Sequence, residues 1–122
     1  MVKVMLIEDD TTMHYLLNTL LTLEGYEVQN STGSGDILRI MQHNDPDLIM
    51  VDVHLRVDGG VEVNGFELLR AIRSDPALRD KKVIMSSGID FRLKSVEEGA
   101  DGFLLKPYMP DELIKMIKDL VG

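Results

Sequence analysis

The chain predicts an open, doubly wound α/β domain, in which five parallel strands alternate with five helices. Two observations predict it. Runs such as Leu48 to Val51 and Val83 to Met85 are apolar at every position, as strands buried on both faces must be. Between successive runs lie stretches with helical spacing, and a crossover through a helix makes the strands on either side of it parallel. With 122 residues, 44% of them hydrophobic, and four prolines, one core is expected to serve the whole length.

Taken in order, "VKVMLI" is a short aliphatic and β-branched strand. "TTMHYLLNTLLTLEGY" then sets Met13, Leu16, Leu17, Leu20, Leu21 and Leu23 at roughly helical spacing and stops at a glycine. "YEVQN" and "GDILRIMQHN" repeat the unit, followed by "PDLIMVD" and "GFELLRAIRSD". "KKVIMSS" is a strand, "FRLKSVEEG" a short helix and "DGFLLK" a strand. "MPDELIKMIKDLVG" closes the chain as a helix, with Pro110 and Asp111 suited to its first turn.

Composition excludes several functions. The formal net charge is −8 and the 13 Lys and Arg are scattered, so no basic stripe exists to neutralise a nucleic acid backbone. Direct nucleic acid binding is not expected. Cysteine is absent, which removes disulfides, thiolate catalysis and thiolate zinc sites. No leader-like run and no bilayer-length apolar stretch occurs, so a cytoplasmic chain without membrane insertion is expected.

In a doubly wound sheet the reactive crevice lies beyond the carboxyl ends of the strands, at the point where strand order reverses. That rule selects Glu8, Asp9 and Asp10 after the first strand and Asp52 after the third. It adds Ser86 and Ser87 after the fourth strand and Lys106 after the fifth. Carboxylates drawn together there repel unless cations compensate, and the compensators expected are Lys106 and a hard divalent ion. An all-oxygen set suits Mg²⁺, with retained water and a position left for a phosphoryl oxygen. Calcium suits it less, because the spacing is not that of a continuous calcium loop. Phosphoryl transfer to a carboxylate follows, with Asp52 the acceptor because it stands alone while Glu8 and Asp9 come as a pair for the ion. The Ser87 hydroxyl and the Lys106 ammonium are expected to contact phosphoryl oxygens, and Gly88 leaves room for the group.

These residues carry a family resemblance. "LIEDD", "LIMVDV", "NGFELL", "VIMSSG" and "EEGADGFLLKP" resemble the response-regulator receiver domains of bacterial two-component signalling, especially single-domain members of the chemotaxis-regulator type. The resemblance covers essentially the whole chain, residues 1–122, with no separate output domain expected. It implies the flavodoxin-like (βα)5 arrangement with strand order 2-1-3-4-5. It implies that Asp52 accepts phosphate from a histidine kinase or a histidine phosphotransfer protein, with Ser87 the switch hydroxyl and Lys106 followed by a cis bond to Pro107. Mg²⁺ is then held by Asp9, Asp52 and the backbone carbonyl of His54, with Glu8 acting through water. Phe103, three residues before the lysine, takes the place of the aromatic that moves inward when the phosphorylated state alters the partner-binding surface. A downstream protein partner is implied, with homodimerisation open. The domain is expected to be a switch with self-catalysed phosphotransfer and autodephosphorylation, not an enzyme.

Two departures from the family pattern stand out. After Asp52 the chain carries "VHLRVDGGVEV", longer than the usual loop and lacking its proline, with alternation around Asp58-Gly59-Gly60 that signals a hairpin. A ribbon at the rim of the site and a tolerated surface insertion are both consistent with it. Between Ser87 and Lys106 the segment is short, leaving a helix of about two turns.

Plainer roles compete at several positions. Asp10 suits a helix cap, Ser86 a strand end, His43 a helix end, and His14 a partly exposed helical position. The His54 side chain either overhangs the phosphoryl group or faces solvent. The methionines read as core filler. A phosphomonoester hydrolase and a phosphorylation-independent interaction module remain alternatives to the switch. Nucleotide binding is disfavoured, since no glycine-rich phosphate loop follows the first strand.

Overall fold

Each aliphatic run becomes a strand and each periodic stretch a helix. The chain order is β1 (Lys3–Ile7), α1 (Thr11–Leu23), β2 (Glu27–Ser31), α2 (Ile37–Asn44), β3 (Leu48–Asp52), β4 (His54–Val57), β5 (Val61–Asn64), α3 (Gly65–Ser74), β6 (Lys82–Ser87), α4 (Arg92–Glu97), β7 (Gly102–Leu105) and α5 (Pro110–Val121). The structure is a computed structural model and describes residues 1–8, 10–31, 35–57 and 60–122.

Five strands form one parallel sheet in the order β2-β1-β3-β6-β7. Numbered within that sheet alone, this is the expected 2-1-3-4-5. Its central strands carry apolar side chains on both faces because two helical layers cover them. Val4, Leu6, Leu48, Met50, Ile84 and Leu104 face one layer with Leu17 and Leu21 of α1 and Leu113 and Ile117 of α5. On the other face Met5, Ile7, Ile49, Val51, Val83 and Met85 meet Met41 of α2 and the α3 residues Phe66, Leu69 and Ile72. The buried methionines are therefore core filler, as expected.

Side-chain caps fix where the helices begin. Asp10 Oδ1 accepts from the backbone N–H groups of Thr12 at 2.9 Å and Met13 at 3.1 Å, which satisfies two otherwise orphaned donors of α1. Asn64 Oδ1 does the same for Phe66 N at 2.8 Å. At the far end of α2, Asp45 terminates the helix in the left-handed region, φ 49°. The shortened α4 has six residues and no side-chain cap at its start.

The segment after Asp52 forms a hairpin, as its alternation signals. β4 and β5 pair antiparallel, His54 with Asn64, Leu55 with Val63 and Arg56 with Glu62, and Gly60 at the turn has φ +91°. Asp58 and Gly59, also named in the turn signal, lie outside the described residues. The ribbon is not a loose surface loop. Leu55 is fully buried and Val63 packs against the same core cluster. Among the described residues no helix is long and apolar enough to cross a membrane.

Candidate functional site

The sheet delivers its polar strand ends to one edge. Glu8 follows β1, Asp52 ends β3, Ser86 and Ser87 end β6, and Lys106 follows β7. Backbone hydrogen bonds hold these ends in register: Glu8 N to Ser31 O at 3.1 Å, Val53 N to Ser86 O at 2.8 Å, and Lys106 N to Ser87 O at 2.8 Å.

Lys106 joins the carboxylates. Its Nζ donates to Asp52 Oδ2 at 2.8 Å and to Glu8 Oε2 at 3.1 Å. Glu8 is 6% exposed and Asp52 7%, so neither charge is solvated well enough to stand alone. Burial pushes the Lys106 ammonium down, but hydrogen bonding and charge from Asp52 and Glu8 more than offset this, holding it above its ordinary value. The ammonium therefore stays charged, and both carboxylates keep a counter-ion.

The remaining oxygens are held by backbone. His54 N donates to Asp52 Oδ1 at 3.2 Å, and Asp10 N donates to Glu8 Oε1 at 3.2 Å. Asp10 itself turns away to cap α1, so it does not join the cluster. Gly65 explains the Asn-Gly pair that opens α3. A Cβ there would lie 2.3 Å from the Asp52 carbonyl oxygen and 2.9 Å from Val53 Cα, so only glycine lets the helix start approach the acidic strand end.

Other expected residues fall as follows. Ser87 is buried, and its Oγ accepts from Ile89 N at 3.1 Å. Phe103 is 8% exposed and lies within the core cluster, paired in register with Met85. The Lys106–Pro107 bond is cis. The half-exposed His54 side chain sets Nδ1 3.4 Å from Glu62 Oε1 across the ribbon, with its ring centroid 6.3 Å from that of Phe91. His43 sits in the last turn of α2 and His14 is partly exposed in α1. Asp9, the other expected metal ligand, lies outside the described residues. Among the described residues no group of three or more His, Asp or Glu is gathered closely enough to hold a metal.

Two features of the cluster's surroundings escape a reading of strand ends. Tyr108 is largely buried beside it, and burial pushes its phenol up to about 12. An aromatic two residues past a strand-end lysine carries no spacing signal. Ser86 is the register partner of Asp52, which only the sheet pairing reveals.

With this geometry in view, the comparisons with known proteins agree. The family model for the response regulator receiver domain matches residues 4–118. The chain belongs to the response regulator receiver domain family. Such domains are phosphoacceptor switches of two-component signalling, not enzymes of the ordinary kind. The transcriptional regulatory protein PrrA of Mycobacterium tuberculosis is 32% identical over 121 residues, which is 98% of this receiver and 49% of PrrA. The receiver thus spans about half the length of the curated relatives it matches. The chemotaxis response regulator CheY4 of Vibrio cholerae superposes with a TM-score of 0.86 at 26% identity, covering 99% of both chains. The receiver domain of the sensor histidine kinase PA1611 from Pseudomonas aeruginosa, 21% identical with a TM-score of 0.83 over 99% of this chain and 98% of that one, shares the fold. That protein was solved with a magnesium ion in its active site cleft.

Proposed function

We propose that this receiver is a phosphoacceptor switch in which Asp52 takes a phosphoryl group from a phosphohistidine of a histidine kinase or a histidine phosphotransfer protein. The supporting observation is the bridge from Lys106 Nζ to buried Glu8 and Asp52 at the carboxyl edge of the sheet. An Asp52 carboxylate oxygen attacks phosphorus as the P–N bond to the donor histidine breaks, and the histidine nitrogen keeps the bonding pair. Lys106 is placed to turn from Asp52 Oδ2 to an equatorial phosphoryl oxygen, leaving Oδ2 as the acyl carbonyl while Oδ1, oriented by the His54 N–H, carries the phosphoryl group. Ser87 supplies the switch hydroxyl by giving up its contact with Ile89 N, and Phe103 follows in packing.

The donor set fits Mg²⁺, because the described groups are hard oxygens: the Asp52 carboxylate, the His54 carbonyl, and Glu8 reaching through water. Asp9 completes that set. When bound, the ion neutralises charge on the phosphoryl oxygens. Beside Lys106 the surface forms an apolar groove of about 410 Å³, with Met13, Leu16, Leu17, Pro107 and Tyr108 in its wall, a face for the donor protein to cover. The receiver acts in the cytoplasm, and its phosphorylated form engages a downstream protein.

Incubation with Mg²⁺ and a small acyl phosphate, followed by intact mass and peptide mapping, tests this. One added phosphate is expected on Asp52 and none in Asp52→Ala. Labelling of Ser86, Ser87 or His54 with Asp52 unmodified overturns the assignment, and steady turnover of a small phosphomonoester overturns the switch.

A further inference from the structure

Ser86 is the register partner of Asp52 on the adjacent parallel strand. Alternation along β3 and β6 gives the two residues the same face. Leu48, Met50 and Ile84 point into the α1/α5 layer, whereas Val83 and Met85 point into the other, so Asp52 and Ser86 share the first face and Ser87 the second. Neighbouring strands lie about 4.8 Å apart, which brings a serine hydroxyl within reach of a laterally adjacent carboxylate after one side-chain rotation.

The Ser86 hydroxyl has no partner among the described residues, although the residue is only 1% exposed. A buried hydroxyl without a partner is costly, so a serine there is a liability unless another state of the protein uses it. An alanine would fill the same strand position without that cost. In the present state both Asp52 oxygens are occupied, Oδ2 by Lys106 and Oδ1 by His54 N. Movement of Lys106 to a phosphoryl oxygen vacates its place on the aspartyl group, on the side of the sheet that Ser86 lines.

We propose that Ser86 is a positioning residue for the phosphorylated state, its hydroxyl donating to Asp52 Oδ2, the acyl carbonyl oxygen that Lys106 leaves when a phosphoryl group is bonded to Oδ1. The inference rests on Asp52 being the acceptor. It gives the paired serines separate work: Ser87 answers to the phosphoryl group, and Ser86 holds the side chain that carries it. Satisfying Ser86 only after phosphorylation makes the hydroxyl part of the bias between the two states.

The test compares the unaltered protein with Ser86→Ala and Ser86→Thr in two measurements. The first is the lifetime of the aspartyl phosphate after labelling with a small acyl phosphate and Mg²⁺. The second is the rise in melting temperature on adding beryllofluoride and Mg²⁺, which reads the bound state without turnover. Ser86→Ala is expected to melt at or above the unaltered protein when unmodified, since it loses an unsatisfied group. It is expected to change the phosphate lifetime by about three- to tenfold, the scale of one ordinary hydrogen bond. It should also show a smaller beryllofluoride-induced rise, and Ser86→Thr should restore both values toward those of the unaltered protein. A lifetime and a beryllofluoride response unchanged in Ser86→Ala overturn the proposal, as does an equal effect in the alanine and threonine variants. Failure of the unaltered protein to take phosphate or beryllofluoride overturns instead the assignment of Asp52.

Discussion

Glu8 and Asp52 sit 44 positions apart in sequence and share one ammonium, so the stability of the site and the chemistry proposed for it depend on the same three side chains. Truncating one member of such a set leaves a buried charge uncompensated, whereas the set together is neutralised in part. Gly65 shows how little space surrounds it. Gly65→Ala places a methyl 2.3 Å from the Asp52 carbonyl, and backbone cannot rotate away as a flexible side chain can. A loss of about 1–3 kcal/mol is expected in urea unfolding, together with slower labelling of Asp52 as the strand end is displaced. A variant as stable and as readily labelled as the parent contradicts the close approach.

Among the elements, the β4–β5 ribbon and the α3–α4 junction differ in what holds them. The ribbon is anchored by apolar burial, so Leu55→Ala, at a fully buried position, is expected to cost about 2–5 kcal/mol in chemical denaturation. A cost below about 0.5 kcal/mol, the range of an exposed substitution, marks the ribbon as peripheral after all. Arginines hold the junction. Arg70 makes a two-pronged contact with Glu98 at 2.7 and 2.8 Å, but it is half-exposed, and solvent screening leaves such pairs a small contribution. Arg73 is more buried and donates to the carbonyls of Gly99, Arg79 and Lys81 as well as to Asp101. Arg73→Ala removes its bonds to all four at once, leaving Asp101 only Val83 N among the described residues. It should destabilise the protein more than Arg70→Ala does, and melting curves of the two variants at equal ionic strength check the order.

At the scale of the whole molecule, alkaline pH acts through the cluster and its surroundings. Burial raises the Tyr108 phenol from 10.0 to about 12, and carboxylate partners, against burial, hold Lys106 above 10.5. Both groups bind their protons more tightly in the fold than in the unfolded chain. Their contribution to stability is therefore complete below about pH 10 and is lost as pH rises toward 12. The tyrosine accounts for about 2–3 kcal/mol of that loss. Tyr108→Phe is expected to flatten the decline and to remove the phenolate absorbance step near pH 12; a decline of unchanged steepness sinks the assignment.

Much of this architecture is legible in the chain itself, because strands buried on both faces must be apolar throughout and helices on a sheet must repeat their apolar positions every three or four residues. Those constraints act locally. "DLIMV" announces its strand, "VDGGV" announces a turn between paired strands, and the position of each polar residue at a strand end follows from the same count. Lateral relations carry no such local signature. That Lys106 selects Glu8 and Asp52 while Asp10 turns to cap α1, that Ser86 lies beside Asp52, and that the start of α3 presses on the acidic strand end are decided by strand order and register. Sequence alone determined which of the described residues reach the carboxyl edge of the sheet, since that depends on position along each strand. The tertiary structure decided which of them touch, because contact between parallel strands depends on residues far apart in the chain.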